Sequence, residues 1–343
     1  MLSILYNFTF DSDRKNLYTI YKDLSHLKKT RFSTKSYFTN LMYKKSAGNI
    51  DDYVDHEIYL KIAKDYYRPN GKNFLLEDKI VFQEHLKING IPGTKLLAKF
   101  KDGKLLVETN SYVEPKRIEF KLKKLASIYG SIFIKCTDTS GGEGIFKVNN
   151  DDVFNLENLS ISKDYIVERT LIQHEALNRV NPHSINTLRV ITFKTGDKVV
   201  IPNCMFRMSK GTSYLDNASA GGIFVSYDID NNRLGDTGYQ LFRNGAKSYK
   251  RHPVTNFVFK DASLPFNEEV KALVKEAARS YDQIESIGWD IAYTQDGPVI
   301  LEGNDSPHIV MTQITLQGLL NSNFYKEKFK EYFENVELVK VRE

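Results

Sequence analysis

The sequence contains few cysteines and no long apolar run. Its two cysteines, Cys136 and Cys204, lie far apart and belong to no CxxC or Cys/His cluster. This pattern excludes a disulfide scaffold and a cysteine-based zinc site, and it is typical of the reducing cytoplasm, where we expect the protein. No stretch approaches the roughly 18 apolar residues that a membrane span requires. The short apolar stretch at residues 1–10 has no basic segment before it and is followed directly by Asp11, so we expect no signal peptide. We also expect no transmembrane segment.

Charge of one sign is not concentrated in any block. The 343 residues carry a formal net charge of +5, and the lysines are spread along the chain. We therefore expect solvated lysines and affinity for anionic small molecules, and no nucleic-acid partner. Hydrophobic residues make up 41% of the chain, enough for a substantial core, and the length favours about two domains in a monomer or homodimer.

The order of predicted elements indicates an α+β fold. Residues 1–75 are mainly helical and carry no motif, and a clear helix at 77–89 is ended by Gly90. Many antiparallel-looking strands flanked by helices then favour α+β architecture over a doubly wound sheet. Strands are predicted at 95–100, 105–108, 131–135, 144–148, 165–168, 188–193, 199–205, 222–227, 289–294 and 299–302. Further helices are predicted at 114–129, 267–284, 309–320 and 323–333.

Two carboxylates and an amide occur in the last pair of predicted strands. Asp290 lies in one strand, Glu302 ends the next, and a Gln-Asp-Gly turn separates them. Adjacent strands of a hairpin bring their side chains within a few ångströms, and Glu302 and Asn304 point to the same side because they are two residues apart. This oxygen set is the one that Mg²⁺ favours. We therefore predict a Mg²⁺ site, with Mn²⁺ as a substitute; the alternative is a charged hairpin with polar capping residues.

A glycine-rich link joins two other predicted strands. Lys135 ends the first strand, and the link contains Ser140, Gly141, Gly142 and Gly144. No Gly-Lys-Ser/Thr precedes a helix, so this is not a Walker A loop, and its place between two strands excludes a dinucleotide fingerprint. Such a link can fold over phosphates, with backbone N–H groups and a nearby lysine offsetting their charge. Ordinary glycine-rich hairpins have the same composition, so the motif alone leaves both alternatives open.

Taken together, these motifs resemble the ATP-grasp superfamily. The resemblance rests on Asp78-Lys79 at a helix start, on SIFIK…TSGGEGIFK, on the strand YIVE and on the Asp…Glu-x-Asn hairpin. Three stretches, NPHSINTLR, DN…GG and GWDIAYTQDGPVILEGN, are similar to the sugar-transfer-associated branch, which is related to α-L-glutamate ligases. The resemblance covers about residues 77–320. It implies two α+β subdomains that grip ATP, at 76–170 and 171–343, after the helical region 1–75.

The resemblance also implies roles for residues that would bind ATP. Lys79 and Lys135 would hold the phosphates, the latter beside the glycine-rich flap. Glu168 would accept a hydrogen bond from the adenine amino group, and the backbone around Arg169 and Leu171 would contact the ring edge.

Further roles concern the ribose and the reaction centre. Glu175 stands where relatives have the ribose-binding acid, although the branch usually has Pro-Glu-Leu where this chain has Glu-Ala-Leu. Arg189 would face the γ-phosphate and the acyl-phosphate that it becomes, and Asn217 would line the same centre.

From the residues alone, bland alternatives stay open for several positions. Lys79 could be a surface lysine, Glu168 could cap a strand, and His174 and His183 could be solvated loop residues. Arg189 is different, because it lies within an apolar strand and a buried guanidinium requires an anionic partner.

The sequence shows no Ser/His/Asp or Cys/His arrangement for nucleophilic catalysis. The resemblance implies an ADP-forming ligase that joins a carboxylate to an amine through an acyl-phosphate, with small-molecule substrates. The branch name suggests an amino acid and a sugar or sugar acid in surface-polysaccharide biosynthesis. Two alternatives remain: a phosphotransferase with the same fold, and a nucleotide-binding subunit of a glycan-assembly complex.

Overall fold

The computed structural model describes residues 8–30, 32–67, 74–107, 111–137, 144–152, 154–160, 162–213 and 216–340. These residues form two antiparallel sheets, each with its own buried core, and a helical N-terminal region. The α+β class with a mainly helical N-terminal region is thereby confirmed. The predicted flap residues Ser140, Gly141 and Gly142 lie outside the described residues.

The N-terminal region consists of short helices connected by turns. Its helices are α1 (Leu17–Lys29), α2 (Thr34–Thr39) and α3 (His56–Ile62). Each begins with a side-chain cap, as where Asn16 Oδ1 accepts from the backbone N–H of Thr19 at 2.8 Å. The buried residues of this region pack against the seven-stranded sheet and the helix that follows its last strand.

The first sheet has six strands in the order β3-β2-β1-β6-β4-β5. Every neighbouring pair in it is antiparallel. Helix α6 (Ile118–Tyr129) covers it with Leu122 and Ala126, which are fully buried. Its strands are β1 (Leu96–Lys101), β2 (Lys104–Val107), β3 (Tyr112–Val113), β4 (Ser131–Cys136), β5 (Ile145–Asn149) and β6 (Tyr165–Arg169).

The second sheet has seven strands in the order β11-β10-β9-β8-β7-β12-β13, also antiparallel throughout. The short helix α7 (Glu175–Asn178) precedes it. Helix α8 (Asn267–Arg279) packs on one face. Its strands are β7 (Thr187–Thr195), β8 (Lys198–Met208), β9 (Ile223–Asp228), β10 (Arg233–Tyr239), β11 (Ser248–Tyr249), β12 (Ser286–Thr294) and β13 (Gly297–Asn304).

Two short helices before the first sheet belong to the core of the second. Helices α4 (Phe74–Glu77) and α5 (Lys79–Ile88) contribute Leu76 and Phe82 to the cluster that contains Trp289. Glycine is required at position 303 of β13, because a Cβ there would lie 2.7 Å from Leu76 Cδ2. This packing brings the start of α5 to the predicted metal strand.

The chain ends in two helices that cover one side of the second sheet. They are α9 (Ile309–Leu316) and α10 (Asn323–Lys340). A cluster of buried residues joins them to the N-terminal region: Tyr59, Ile62 and Tyr67 pack with Phe193 and Phe329. Among the described helices, none combines the length and apolar composition needed to cross a membrane.

Most predicted strands and helices match the structure to within a few residues, with two kinds of difference. The helix predicted for 267–284 ends at Arg279, and the helix predicted for 323–333 continues to Lys340. Strands β3, β10 and β11 were not predicted. Strand β10, RLGDTGY, contains two glycines and two charged residues and has an irregular register against β9, so it lacks the alternation that identifies a strand.

Candidate active site

Two adjacent strands of the first sheet carry an ion pair between Lys135 and Glu168. Strands β4 and β6 pair with Phe133 opposite Glu168, so Lys135, two residues further, lies on the same face. Its Nζ lies 2.5 Å from Glu168 Oε2, in a pair whose lysine side chain is 22% exposed and whose glutamate is 3% exposed. The pairing of β4 with β6 therefore brings Lys135 and Glu168 together on one face of the first sheet.

A chain of hydrogen bonds connects this pair to the second sheet. The hydroxyl of Thr94 donates to Glu168 Oε1. The backbone N–H of Thr94 donates to Gln83 Oε1 at 3.1 Å, and Gln83 Nε2 donates to the carbonyl of Leu301 at 3.2 Å. Glu168 is thus held by the segment that also holds β13, the strand of Glu302.

Lys79 lies between the two sheets. It is the first residue of α5, after the cap formed by Asp78, and its Nζ donates to the carbonyl of Thr137 at 3.2 Å. Burial lowers the pKa of Lys79, while the carboxylate of Glu302 opposes this effect and Lys135 adds to it. The ammonium of Lys79 therefore lies close enough to feel charged groups of both sheets.

Asp290 lies between two arginines on one face of the second sheet. Arg189 is opposite it on β7 and donates to both carboxylate oxygens, through Nε to Oδ1 and through Nη2 to Oδ2 at 3.1 Å. Arg207 Nη2 lies 2.8 Å from Oδ2. Burial would raise the pKa of Asp290, but the two guanidinium groups lower it well below its usual range. The carboxylate is therefore fixed in its ionised form.

The same face continues to the loop that precedes β9. Besides Asp290, Arg207 contacts the hydroxyl of Thr187, to which its Nη2 and Nε donate at 2.8 Å and 3.0 Å. That hydroxyl in turn donates to Asp216 Oδ2. This network ties the loop around Asn217 to the centre of the sheet.

Glu302 and Asn304 lie on that face beside Asp290. In the β12–β13 hairpin Asp290 is opposite Glu302 and Gly288 is opposite Asn304. Burial, with the nearby carboxylate of Asp290 as a further cause, raises the pKa of Glu302. The register therefore places the three predicted metal ligands next to one another on one face of the hairpin.

The donor set suits a hard divalent cation. A buried carboxylate whose ionised form is disfavoured gains most from a cation beside it, and Asn304 adds an amide oxygen. Both oxygens of Asp290 are engaged by the arginines, and its carboxylate also shares a side-chain hydrogen bond with Glu302. In the described part of the chain, no group of three or more His, Cys, Asp and Glu side chains has the spacing of a metal site.

The remaining ATP-binding predictions fall along the exit of β6. Arg169 ends that strand, and its Nε is buried without a hydrogen-bond partner among the described residues. Leu171 is half-buried just beyond it, and Glu175 is exposed at the start of α7. Gly144, the described end of the flap, accepts from the backbone N–H of Cys136 at 3.0 Å. These positions keep their predicted roles as predictions.

Asn217 lies in the loop next to this face, but its side-chain oxygen serves the loop itself. It accepts from the backbone N–H of Ser219 at 3.0 Å and from the Ser219 hydroxyl at 2.9 Å. A Cβ at Gly222 would lie 2.2 Å from the carbonyl oxygen of Asp216, so this close turn requires glycine. The loop borders a cavity of about 300 Å³, lined by Ser209, Lys210, Gly211, Ser213, Ala220, Gly221, Gly222, Gln240 and Asn244.

The sequence analysis missed Arg207, Thr187 and Thr94. Arg207 carries the signal that singled out Arg189, a guanidinium inside an apolar strand, here Cys-Met-Phe-Arg-Met. Thr187 and Thr94 carry no such signal, because a threonine in or beside a strand is ordinary.

Two antiparallel sheets, connected by the bonds of Lys79 and Gln83, each carry buried pairs of basic and acidic side chains. The model of the sugar-transfer associated ATP-grasp family matches residues 63–326 of this sequence, and the chain belongs to that family. The match covers both sheets and helix α9, and it ends near the start of α10.

Several solved structures are also similar. D-alanyl-alanine synthetase A from Vibrio cholerae is 16% identical, over 72% of this chain and 61% of that one, with a TM-score of 0.43. N5-carboxyaminoimidazole synthase from Aspergillus clavatus, complexed with ADP and its ribonucleotide, is 17% identical over 74% and 51%, with a TM-score of 0.37. These TM-scores are too low to define the fold, so the assignment rests on the family match.

The chain spans about half the length of the solved structures that it matches. No curated protein matches the sequence significantly.

Proposed function

We propose that the protein is a Mg-ATP-dependent carboxylate–amine ligase that releases ADP. The observation that carries this proposal is the position of Lys79, which donates to the residue after β4 and also lies within electrostatic reach of Glu302. One lysine thus joins the Lys135–Glu168 pair of the first sheet to the acidic hairpin of the second. A nucleotide whose phosphates lie between these groups would contact both sheets.

In this proposal the first sheet binds ATP. Lys79 and Lys135 offset the charge of the phosphates, and the glycine-rich flap of Ser140, Gly141, Gly142 and Gly144 would contribute backbone N–H groups. Glu168 is buried and already accepts hydrogen bonds, so it is positioned as an acceptor for the adenine amino group. Arg169 and Leu171 follow it along the ring edge, and the ribose lies toward Glu175.

Mg²⁺ would be held by Asp290, Glu302 and Asn304. When bound, the ion supplies charge neutralisation at the phosphate oxygens. The arginines keep Asp290 ionised and oriented, so the hairpin presents a fixed set of oxygens rather than a flexible one.

The reaction requires positioning and charge stabilisation, and no nucleophilic side chain. A substrate carboxylate attacks the γ-phosphorus of ATP, the bond to the β-phosphate oxygen breaks, and ADP leaves. An amine then attacks the acyl carbon, phosphate leaves, and the amine loses a proton. Arg189, Lys135 and the loop of Asn217 stabilise charge on the transferred group.

The family name supports a sugar-linked substrate, and we propose an amino acid and a sugar or sugar acid of surface-polysaccharide synthesis, with the enzyme in the cytoplasm. The cavity beside Lys210 and Gln240, with its hydroxyls and amides, supports a hydroxyl-rich ligand. The alternatives from the sequence give different products: a phosphotransferase yields a stable phosphate ester, and a nucleotide-binding subunit yields no product.

The test is product analysis. The protein is incubated with Mg-ATP and a matrix of amino acids and sugar acids, and products are identified by mass spectrometry while ADP is measured. We expect ADP release that requires both an acid and an amine, with an amide of the summed mass less water. ADP release with a phosphorylated sugar and no amide contradicts the ligase and supports the phosphotransferase.

A matched pair of variants tests the site. Glu302→Ala should abolish Mg-dependent ATP turnover with the fold intact, whereas Glu276→Ala, which removes an exposed carboxylate of α8, should leave turnover unchanged. Normal turnover in Glu302→Ala would refute the metal assignment.

A further inference from the structure

A second group of basic side chains lies beyond Arg189, where the N-terminal region meets the loop after β13. His308 caps α9, four residues after Asn304, and its Nδ1 accepts from the backbone N–H of Val310 at 3.4 Å. The ring of His56 from α3 lies 5.3 Å from the ring of His308, centroid to centroid. Neither His56 nor His308 has a role in the proposed binding of Mg-ATP.

The N-terminal region is fixed against this loop by specific contacts. The hydroxyl of Tyr59 donates to the carbonyl of Pro307, one residue before His308. Helix α3 is capped by Asp55, and the backbone N–H of His56 donates to Ser36 Oγ at 3.3 Å. The pair of rings is therefore built into the contact between α3 and the loop.

The ring of His56 has an unused polar atom. Its Nδ1 is buried, and no described residue forms a hydrogen bond with it. A buried ring nitrogen without a partner is costly unless a ligand or water supplies one. This is an independent sign that the histidine pair faces a ligand.

Nη1 of Arg189 lies near the loop that carries His308. Nε and Nη2 are used by Asp290, and Nη1 lies beside Gly288, 3.3 Å from where a Cβ would be. The same Cβ would lie 2.8 Å from Pro307 Cβ. The glycine thus makes room for Arg189 next to the loop of His308.

Arg243 lies within electrostatic reach of His308. It is exposed in the turn Phe242–Asn244, and no acidic side chain of the described residues pairs with it. The turn is held by the N-terminal region, because the ring of Phe242 packs on Phe38 and Tyr43 at 5.8 Å and 5.9 Å. The N-terminal region therefore positions both His56 and Arg243.

The charges that act on His308 are all positive. Burial, then His56, Arg189 and Arg243, lower the pKa of His308 to about 4. An acidic neighbour would act in the opposite direction, and among the described residues no carboxylate is a cause of the shift.

We propose that His56, His308, Arg243 and Nη1 of Arg189 form a subsite for a carboxylate of the substrate. The subsite deepens the proposed function, on which it rests for the identity of the reaction. A carboxylate would accept from Arg243, Arg189 and the imidazoles, and would supply the missing partner of His56 Nδ1. It comes either from the acid that is activated or from an amino acid whose carboxylate is not consumed. The N-terminal region thereby acts as the substrate-selecting wall of the site.

The test is nuclear magnetic resonance of the full-length protein with isotope-labelled histidine, without ATP. The seven histidine signals are assigned with His56→Gln and His308→Gln. Three probe arms follow: glucuronate as sugar acid, glycine as amino acid, and glucose with glycinamide as counterparts that lack a carboxylate. We expect saturable shifts of His56 and His308, and a rise in the pKa of His308, with glucuronate or glycine but with neither counterpart. The arm that shifts identifies the source of the carboxylate.

Variants with matched charge changes separate the subsite from general electrostatics. Arg243→Ala should weaken probe binding at least tenfold, about 1.4 kcal/mol, and Arg243→Lys should restore part of it. Lys247→Ala removes an exposed positive charge nearby and should leave binding unchanged. Heat denaturation of each variant checks that the fold is retained.

The proposal is overturned if no carboxylate shifts the two signals, or if Arg243→Ala and Lys247→Ala weaken binding equally. These outcomes are distinct from failure of the ligase. Shifts without any ATP-dependent product would retain the subsite and refute the reaction, and amide formation that Arg243→Ala leaves unaltered would retain the reaction and refute the subsite.

Discussion

The two sheets differ in how they hold their buried carboxylates. In the six-stranded sheet, a lysine pairs with a glutamate, and the lysine side chain keeps 22% of its surface exposed. In the seven-stranded sheet, Asp290 is enclosed by two arginines whose side chains are 10% and 5% exposed. Lysine acts as a mobile point charge, whereas arginine fixes a carboxylate through planar, paired bonds. In the proposed function, the first arrangement suits a nucleotide that enters and leaves, and the second suits a permanent support for the hairpin of Asp290 and Glu302.

Replacing the acidic residue of each sheet, Asp290 or Glu168, should give the largest difference in stability between the two sheets. Asp290→Ala leaves two buried guanidinium groups without a partner and should lower the free energy of unfolding by about 3–5 kcal/mol. Glu168→Ala leaves Lys135, which can reach water, and should cost about 1–3 kcal/mol. Urea denaturation measures both. Asp236→Ala, which breaks an exposed pair with Lys250, is the control and should cost less than about 1 kcal/mol. Equal losses for Asp290→Ala and Glu168→Ala would remove the distinction.

Conservative exchange of the basic residues should affect activity in the same order. Arg189→Lys keeps the charge but loses the bidentate bond to Asp290, so ATP turnover should fall by about 100-fold or more. Lys135→Arg keeps the charge at a partly exposed position and should cost about tenfold. Arg233→Lys, at an exposed position of β10, serves as the control. A larger loss for Lys135→Arg than for Arg189→Lys would reverse the roles of the two sheets.

The connection between the sheets should have a smaller effect. Thr94→Val removes the hydroxyl that donates to Glu168 but leaves the backbone bond to Gln83, so it should cost about 1 kcal/mol of stability. Adenine-nucleotide affinity should fall as well, because Glu168 loses a contact that orients it. Ser127→Ala, an exposed hydroxyl on α6, controls for loss of a hydroxyl. Unchanged stability and affinity would show that the chain of hydrogen bonds does not couple the sheets.

The strands of the site could be predicted from the sequence, because their apolar and functional side chains alternate with the two-residue period of a β-strand. Asp290, Glu302 and Asn304 follow from a hairpin with two-residue alternation, and Lys135 and Glu168 follow from strands whose apolar alternation is clear. Their convergence could be expected from local geometry together with the resemblance.

Contacts between distant segments could not be predicted in this way. The bond from Thr94 to Glu168, the pairing of His56 with His308 and the packing of Phe242 on Phe38 join residues whose neighbours in sequence give no sign of each other. The strand Arg233–Tyr239 was missed for a local reason, since its glycines and charges weaken the strand pattern.

The central claim is that the two sheets together form one Mg-ATP site. Calorimetric titration with a non-hydrolysable ATP analogue, with and without Mg²⁺, tests it most directly in the wild type, Lys135→Met and Glu302→Ala. Lys135→Met should weaken binding in both conditions, because it removes a charge that faces the phosphates. Glu302→Ala should leave the Mg-free affinity unchanged and abolish the gain in affinity that Mg²⁺ provides. A full Mg²⁺ gain in Glu302→Ala, or unaltered affinity in Lys135→Met, would contradict the claim.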